Sequence, residues 1–159
     1  MIWGALVGGL VGTLVLTTIL RASSELRLTR MDLPFLLGLA VTTDRVRAKA
    51  IGYVLHFAFG LVFALAYYVV FLVIGHSGFL LGALLGVVHV AFAGSALVNI
   101  LLPVVHPRMG TGFTAAGAGP LLEPPGFMLL NYGRQTPLVT IVAHVVYGAI
   151  VGGFASLAS

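Results

Sequence analysis

Four stretches of this chain are long enough to cross a bilayer and nearly free of charge: residues 2–20, 48–75, 79–105 and 137–157. Spanning the hydrocarbon core takes about 20 mainly apolar residues in a helix. Lipid offers backbone polar groups no partners, so a spanning segment must satisfy them internally. The expected fold is therefore an all-α integral membrane bundle of four transmembrane helices. Composition agrees: 60% of residues are hydrophobic and 8% charged, where a soluble domain carries about 25% charged residues. Mean hydropathy is +1.14. The 159 residues suit a single four-helix domain covering 1–159. Without cysteine, disulfides, thiolate metal sites and thiol nucleophiles are excluded. Met1–Trp3 has no basic residue, and the apolar run reaches Leu20, too long for a signal-peptide core, so the first stretch reads as a retained helix.

Charge orients the bundle. Arg21, Arg27, Arg30, Arg45, Arg47 and Lys49 lie in or beside the first connection, and Arg108 and Arg134 in the third. The connection around His76-Ser77-Gly78 has no Lys or Arg. The positive-inside rule puts the basic connections in the cytoplasm and both termini outside. Glu25, Asp32, Asp44 and Glu123 share the inner side. These charges read as solvated residues touching lipid headgroups. They form no dense basic run, which argues against nucleic acid as a partner.

The connections carry signals of their own. Asp32 and Pro34 open an apolar segment ending near Val41, too short to span, which predicts a short interfacial or re-entrant helix between the first two spans. Thr43 and Asp44 are candidate caps for the second span, and Thr136 before Pro137 for the fourth. Residues 106–135 are rich in glycine and proline and read as irregular, with 126–132 packing back onto the bundle. Gly110, Gly112 and Gly117 miss the G-x-G-x-x-G spacing and follow no strand, so they are not a nucleotide site. There is no H-E-x-x-H, and the acids sit away from most histidines, which leaves a Ser-His-Asp arrangement without support.

Gly4, Gly8 and Gly12 recur every four residues, as do Gly148 and Gly152. Small residues at this spacing let helix backbones approach in lipid. His56, His89 and His144 each lie inside a span. At 1.5 Å per residue they sit roughly 12, 15 and 11 Å from the nearer ends of their spans, close to one depth in a core about 30 Å thick. Each heads a His-x-x-aromatic-small pattern. Intramembrane ionisable residues usually face the interior and mark function. The three are thus a candidate metal cluster, and equally candidates for interhelical hydrogen bonds or a proton path. In the third span His89, Phe92, Ala96, Asn99, Pro103 and His106 share one helical face. Asn99, His106, Thr140 and Tyr147 extend the candidate polar path, with Thr13 and Thr17 as further hydroxyls. His76 reads as a solvated turn residue, and His106 as a C-terminal cap.

Met31-Asp-Leu-Pro-Phe-Leu-Leu-Gly38, His106-Pro-Arg-Met109, Asn131-Tyr-Gly133 and His144-Val-Val-Tyr-Gly148 together resemble an uncharacterised family of small bacterial four-helix membrane proteins, a domain of unknown function. The resemblance implies the same architecture and a bacterial inner membrane, and brings no activity or site. Three functional readings follow. The first is a non-catalytic scaffold or accessory subunit of a membrane complex, packed in lipid against itself or other membrane subunits. The second is a haem, pigment or metal-binding protein using the central histidines, with Gly52 and Gly60 beside His56 leaving room for a flat macrocycle. The third is a small transporter or proton path.

Overall fold

A computed structural model describes residues 1–110 and 122–158. Gly112, Gly117 and the rest of the run read above as irregular lie outside the described residues. The described chain is helical, with one isolated bridge pairing Met109 and Leu122. The helices are α1 (Ile2–Glu25), α2 (Leu33–Leu39), α3 (Arg45–Ile74), α4 (Phe79–Phe92), α5 (Leu102–Val105) and α6 (Thr136–Leu157). A π-helical segment, Ala93–Leu101, joins α4 to α5 as one continuous span, and a short 3₁₀ segment, Phe127–Tyr132, precedes α6. Four helices, Ile2–Glu25, Arg45–Ile74, Phe79–Val105 and Thr136–Leu157, are long and apolar enough to cross a membrane. The chain is a multi-pass helical membrane protein, and its many exposed large apolar side chains, Trp3, Val73 and Leu80 among them, have lipid as their natural solvent.

Local chemistry starts the helices. Asp32 accepts the Phe35 N–H at 3.1 Å to cap α2, and Asp44 accepts the Arg47 N–H at 2.8 Å to cap α3. Gly75, in the left-handed conformation at φ 73°, ends α3. Thr136 does not cap α6 as its position suggests. It is the first helical residue, and its hydroxyl donates to Thr29 Oγ1 at 2.8 Å, tying α6 to the segment after α1.

α6 is the centre of the bundle, packed on α1 along one side and on α4 along the other. α3 packs on α1 and α2. Gly4, Gly8 and Gly12 face Phe154, Val151 and Tyr147 of α6. Gly82 and Gly86 of α4 meet Gly148, Gly152 and His144 of α6 so closely that a β-carbon at Gly82 or Gly148 would strike the other's carbonyl. The glycine stripes are thus spent within the chain. α3 and α4, though joined by a short turn, lack such a seam.

The two termini meet, with the Met1 amino group donating to the Ala158 carbonyl, and Gly78 of the α3–α4 turn lies against Gly152. All eight basic residues gather at the opposite end. There the connections are stitched together and are not merely solvated. His106 Nε2 donates to the Leu36 carbonyl at 3.1 Å, and Arg108 donates to the carbonyl of Leu39. Arg30 donates to the Asn131 carbonyl at 2.5 Å and lies 3.6 Å from the Glu123 carboxylate. The 3₁₀ segment packs on the π segment and on α6. Its Met128 sulfur occupies the space left by Gly94, and Met128 and Leu129 take positive φ angles of 50° and 60° to reach it.

Candidate functional site in the bundle interior

α3, α4 and α6 each send aromatic and imidazole rings into the space where α3 and α4 stand apart. His89 stacks on Phe63 with centroids 3.7 Å apart and meets His144 edge to face at 4.7 Å. Tyr67 lies 5.9 Å from His89 and 5.7 Å from Tyr147, and Tyr147 lies 5.8 Å from His89. Edge-to-face rings at such separations attract through their quadrupoles. The cluster fills with side chains the gap that glycines close elsewhere.

Hydrogen bonds fix its protonation pattern. A carbonyl can only accept, so the 2.8 Å contact from His144 Nδ1 to the Thr140 carbonyl makes Nδ1 the protonated nitrogen and leaves Nε2 with the lone pair. The Tyr147 hydroxyl donates to the Gly60 carbonyl at 2.5 Å, binding α6 to α3. Tyr67 Oη and His89 Nδ1 share a bond of 3.3 Å.

The three sequence-selected histidines are not equivalent. His89 and His144 touch. His56 makes no ring contact with either; among the described residues its one ring neighbour is Phe57. Its Nε2 is buried and has no hydrogen-bond partner among the described residues. Among the described residues no three His, Asp or Glu side chains are arranged to hold a metal ion. The room expected beside His56 for a macrocycle is also filled: the Pro34 carbonyl of α2 seats against Gly52, and Thr13 of α1 against Gly60.

The proposed polar path is dispersed. Asn99 Nδ2 bonds the Gly94 carbonyl, five residues back, at 2.9 Å. That reach belongs to the π segment, whose wider turns shift the face of everything beyond it. Phe92 is exposed, while His106 is buried at the basic end, its Nε2 donating to Leu36 and its Nδ1 accepting from the Arg108 N–H. Thr140 returns its hydroxyl to the Thr136 and Pro137 carbonyls, and Thr13 and Thr17 do likewise on α1. Phe63 and Tyr67, central to the cluster, escaped the sequence reading. Their signal was available: Tyr67 lies eleven residues after His56, about three helical turns, and so on nearly the same face.

No family model, curated protein or solved structure matches this chain.

Proposed function

We propose that this protein is a non-catalytic membrane protein, a scaffold or accessory subunit of a larger membrane assembly, in a bacterial inner membrane and in the small four-helix family its motifs resemble. The carrying observation is the closure of its interior polar groups on the bundle's own backbone. Thr13, Thr17, Asn99, Thr140, His144 and Tyr147 all bond carbonyls of this chain. Such groups lock helices together and offer no open row of donors and acceptors to a moving solute. The outer faces of α3 and α4 expose large apolar side chains, Val62, Val69, Leu80 and Leu84 among them, which leaves lateral surface for a partner's helix. The positive-inside rule supports a cytoplasmic basic end. Cysteines at His76 and Gln135, labelled from outside intact cells, test that placement: label at Gln135 and none at His76 would reverse it.

The main test combines spectroscopy, metal analysis and vesicle flux. The expected protein is colourless, metal-free and inactive in flux, and it leaves the membrane under mild extraction within a discrete larger complex. A Soret band, stoichiometric metal, or proton or solute flux by the purified chain alone overturns the reading.

A second reading, proton exchange within the bundle, is favoured by the unpartnered buried Nε2 of His56. His144, His89 and Tyr67 make a short series of exchangeable groups, with His56 about three helical turns from Tyr67 on α3. In this reading His56→Gln lowers proton flux through reconstituted vesicles, and unchanged flux removes it.

A further inference from the structure

A concave site stands apart from the histidine cluster, at the basic end between α1, α2 and α3. It encloses about 250 Å³, just below the roughly 300–1,000 Å³ of drug-sized ligand sites. Arg21, Glu25, Asp32, Lys49 and Tyr53 line it, with Leu20 and Leu33 as apolar wall. The charges are paired: Arg21 Nε bonds Glu25 Oε1 at 2.9 Å, and Lys49 Nζ lies 3.4 Å from Asp32 Oδ2. Tyr53 lines the same cavity beside them. An open groove of about 510 Å³ adjoins it, sharing Asp32, Lys49 and Tyr53 and walled by Phe35, Arg45, Val46 and Ala50.

We propose that this site binds the headgroup of an aminophospholipid, with the phosphate between Arg21 and Lys49 and the ammonium against Glu25 and Asp32. Two cations and two carboxylates around one cavity match a ligand that carries both charges, where a purely anionic headgroup would leave the carboxylates opposed to it. The site lies where α1 and α3 leave the apolar part of the bundle, at headgroup depth. Arg21 engages Glu25 through Nε, and a guanidinium carries further donors. Lys49 uses one of three. Half-exposed ion pairs of this kind add little stability, so a headgroup exchanges with them at little cost.

Native mass spectrometry of the intact protein, released from nanodiscs of equal phosphatidylethanolamine and phosphatidylglycerol, tests the site. One phosphatidylethanolamine per chain is expected to persist in preference to phosphatidylglycerol. The Arg21→Gln/Lys49→Met double variant should retain at least about fivefold less, with its circular dichroism unchanged. Glu25→Gln/Asp32→Asn, which keeps an amide capable of capping α2, should shift retention toward phosphatidylglycerol. Equal retention of both lipids by the native chain, or no loss in a folded double variant, overturns the proposal. Displacement of the lipid by millimolar inorganic phosphate would reassign the site to a soluble phosphate and overturn the lipid assignment.

Discussion

The α4–α6 seam and the α3–α4 gap solve one problem in opposite ways. Between α4 and α6, Gly82 and Gly148 bring backbone against backbone, and no side chain intervenes. Between α3 and α4 the backbones stay apart, and Phe63, Tyr67 and His89 bridge the distance. In lipid no hydrophobic effect drives helices together, so packing and interhelical hydrogen bonds must do it. A glycine seam gains contact over its whole length but tolerates no added atom. A ring-filled gap tolerates exchange of one ring for another and places polarity where it can be satisfied.

The largest expected effect tests the first half of that contrast. Gly82→Val or Gly148→Val forces α4 away from α6, at a cost of about 3 kcal/mol for overpacking. The expected result is loss of monodisperse protein or a large drop in thermal midpoint in detergent. Gly153→Ala is the control, since a β-carbon there meets nothing within 4 Å. A Gly82→Val protein as stable as the control would break the comparison.

Next comes the ring-filled gap. His89→Ala removes the stack on Phe63 and the bond to Tyr67, for a loss of about 1–2 kcal/mol. His89→Phe keeps a ring and should lose about half as much. If both variants unfold alike in denaturant titrations, polarity and not ring filling holds the gap.

His56 should respond in the opposite direction. Its Nε2 is buried without a partner, and an unsatisfied buried group costs about 1–3 kcal/mol. His56→Leu is expected to leave stability unchanged or raise it by up to about 1 kcal/mol. A clear destabilisation in the same titration would show that His56 has a partner in the membrane and would favour a ligand or proton role.

The smallest effect lies outside the membrane, at the stitched basic end. The Tyr132 hydroxyl donates to the Glu123 carbonyl at 2.9 Å. Burial, then the Glu123 carboxylate, pushes its ionisation up to about 12 from 10.0. The fold therefore favours the neutral phenol. That contribution is complete below pH 10 and is lost as pH rises from 10 toward 12. Thermal midpoints should fall across this window, less steeply in Tyr132→Phe than in the native chain. Identical slopes would show that Tyr132 contributes nothing to the fall.

By itself the sequence determined the spans, the presence of a short helix between the first two (read to Val41, ending at Leu39 in the fold) and the clustering of positive charge at one end. Length, hydropathy and a capping aspartate are local properties, and lipid allows a long apolar segment few other forms. The glycine stripes were equally plain, but the helix each would meet was not. Only the tertiary structure decided that the α1 stripe faces α6 and the α6 stripe faces α4, and neither a separate subunit, because spacing along one helix carries no information about its partner. The same limit applies to the histidines. Their common depth followed from counting residues, whereas the separation of His56 from the touching pair depended on the rotation of three helices. The π segment was hidden for a related reason. Its wider turn changes the period on which the shared face of His89, Asn99 and His106 was reckoned, and accommodating Met128 at Gly94 is a contact between residues far apart in the chain.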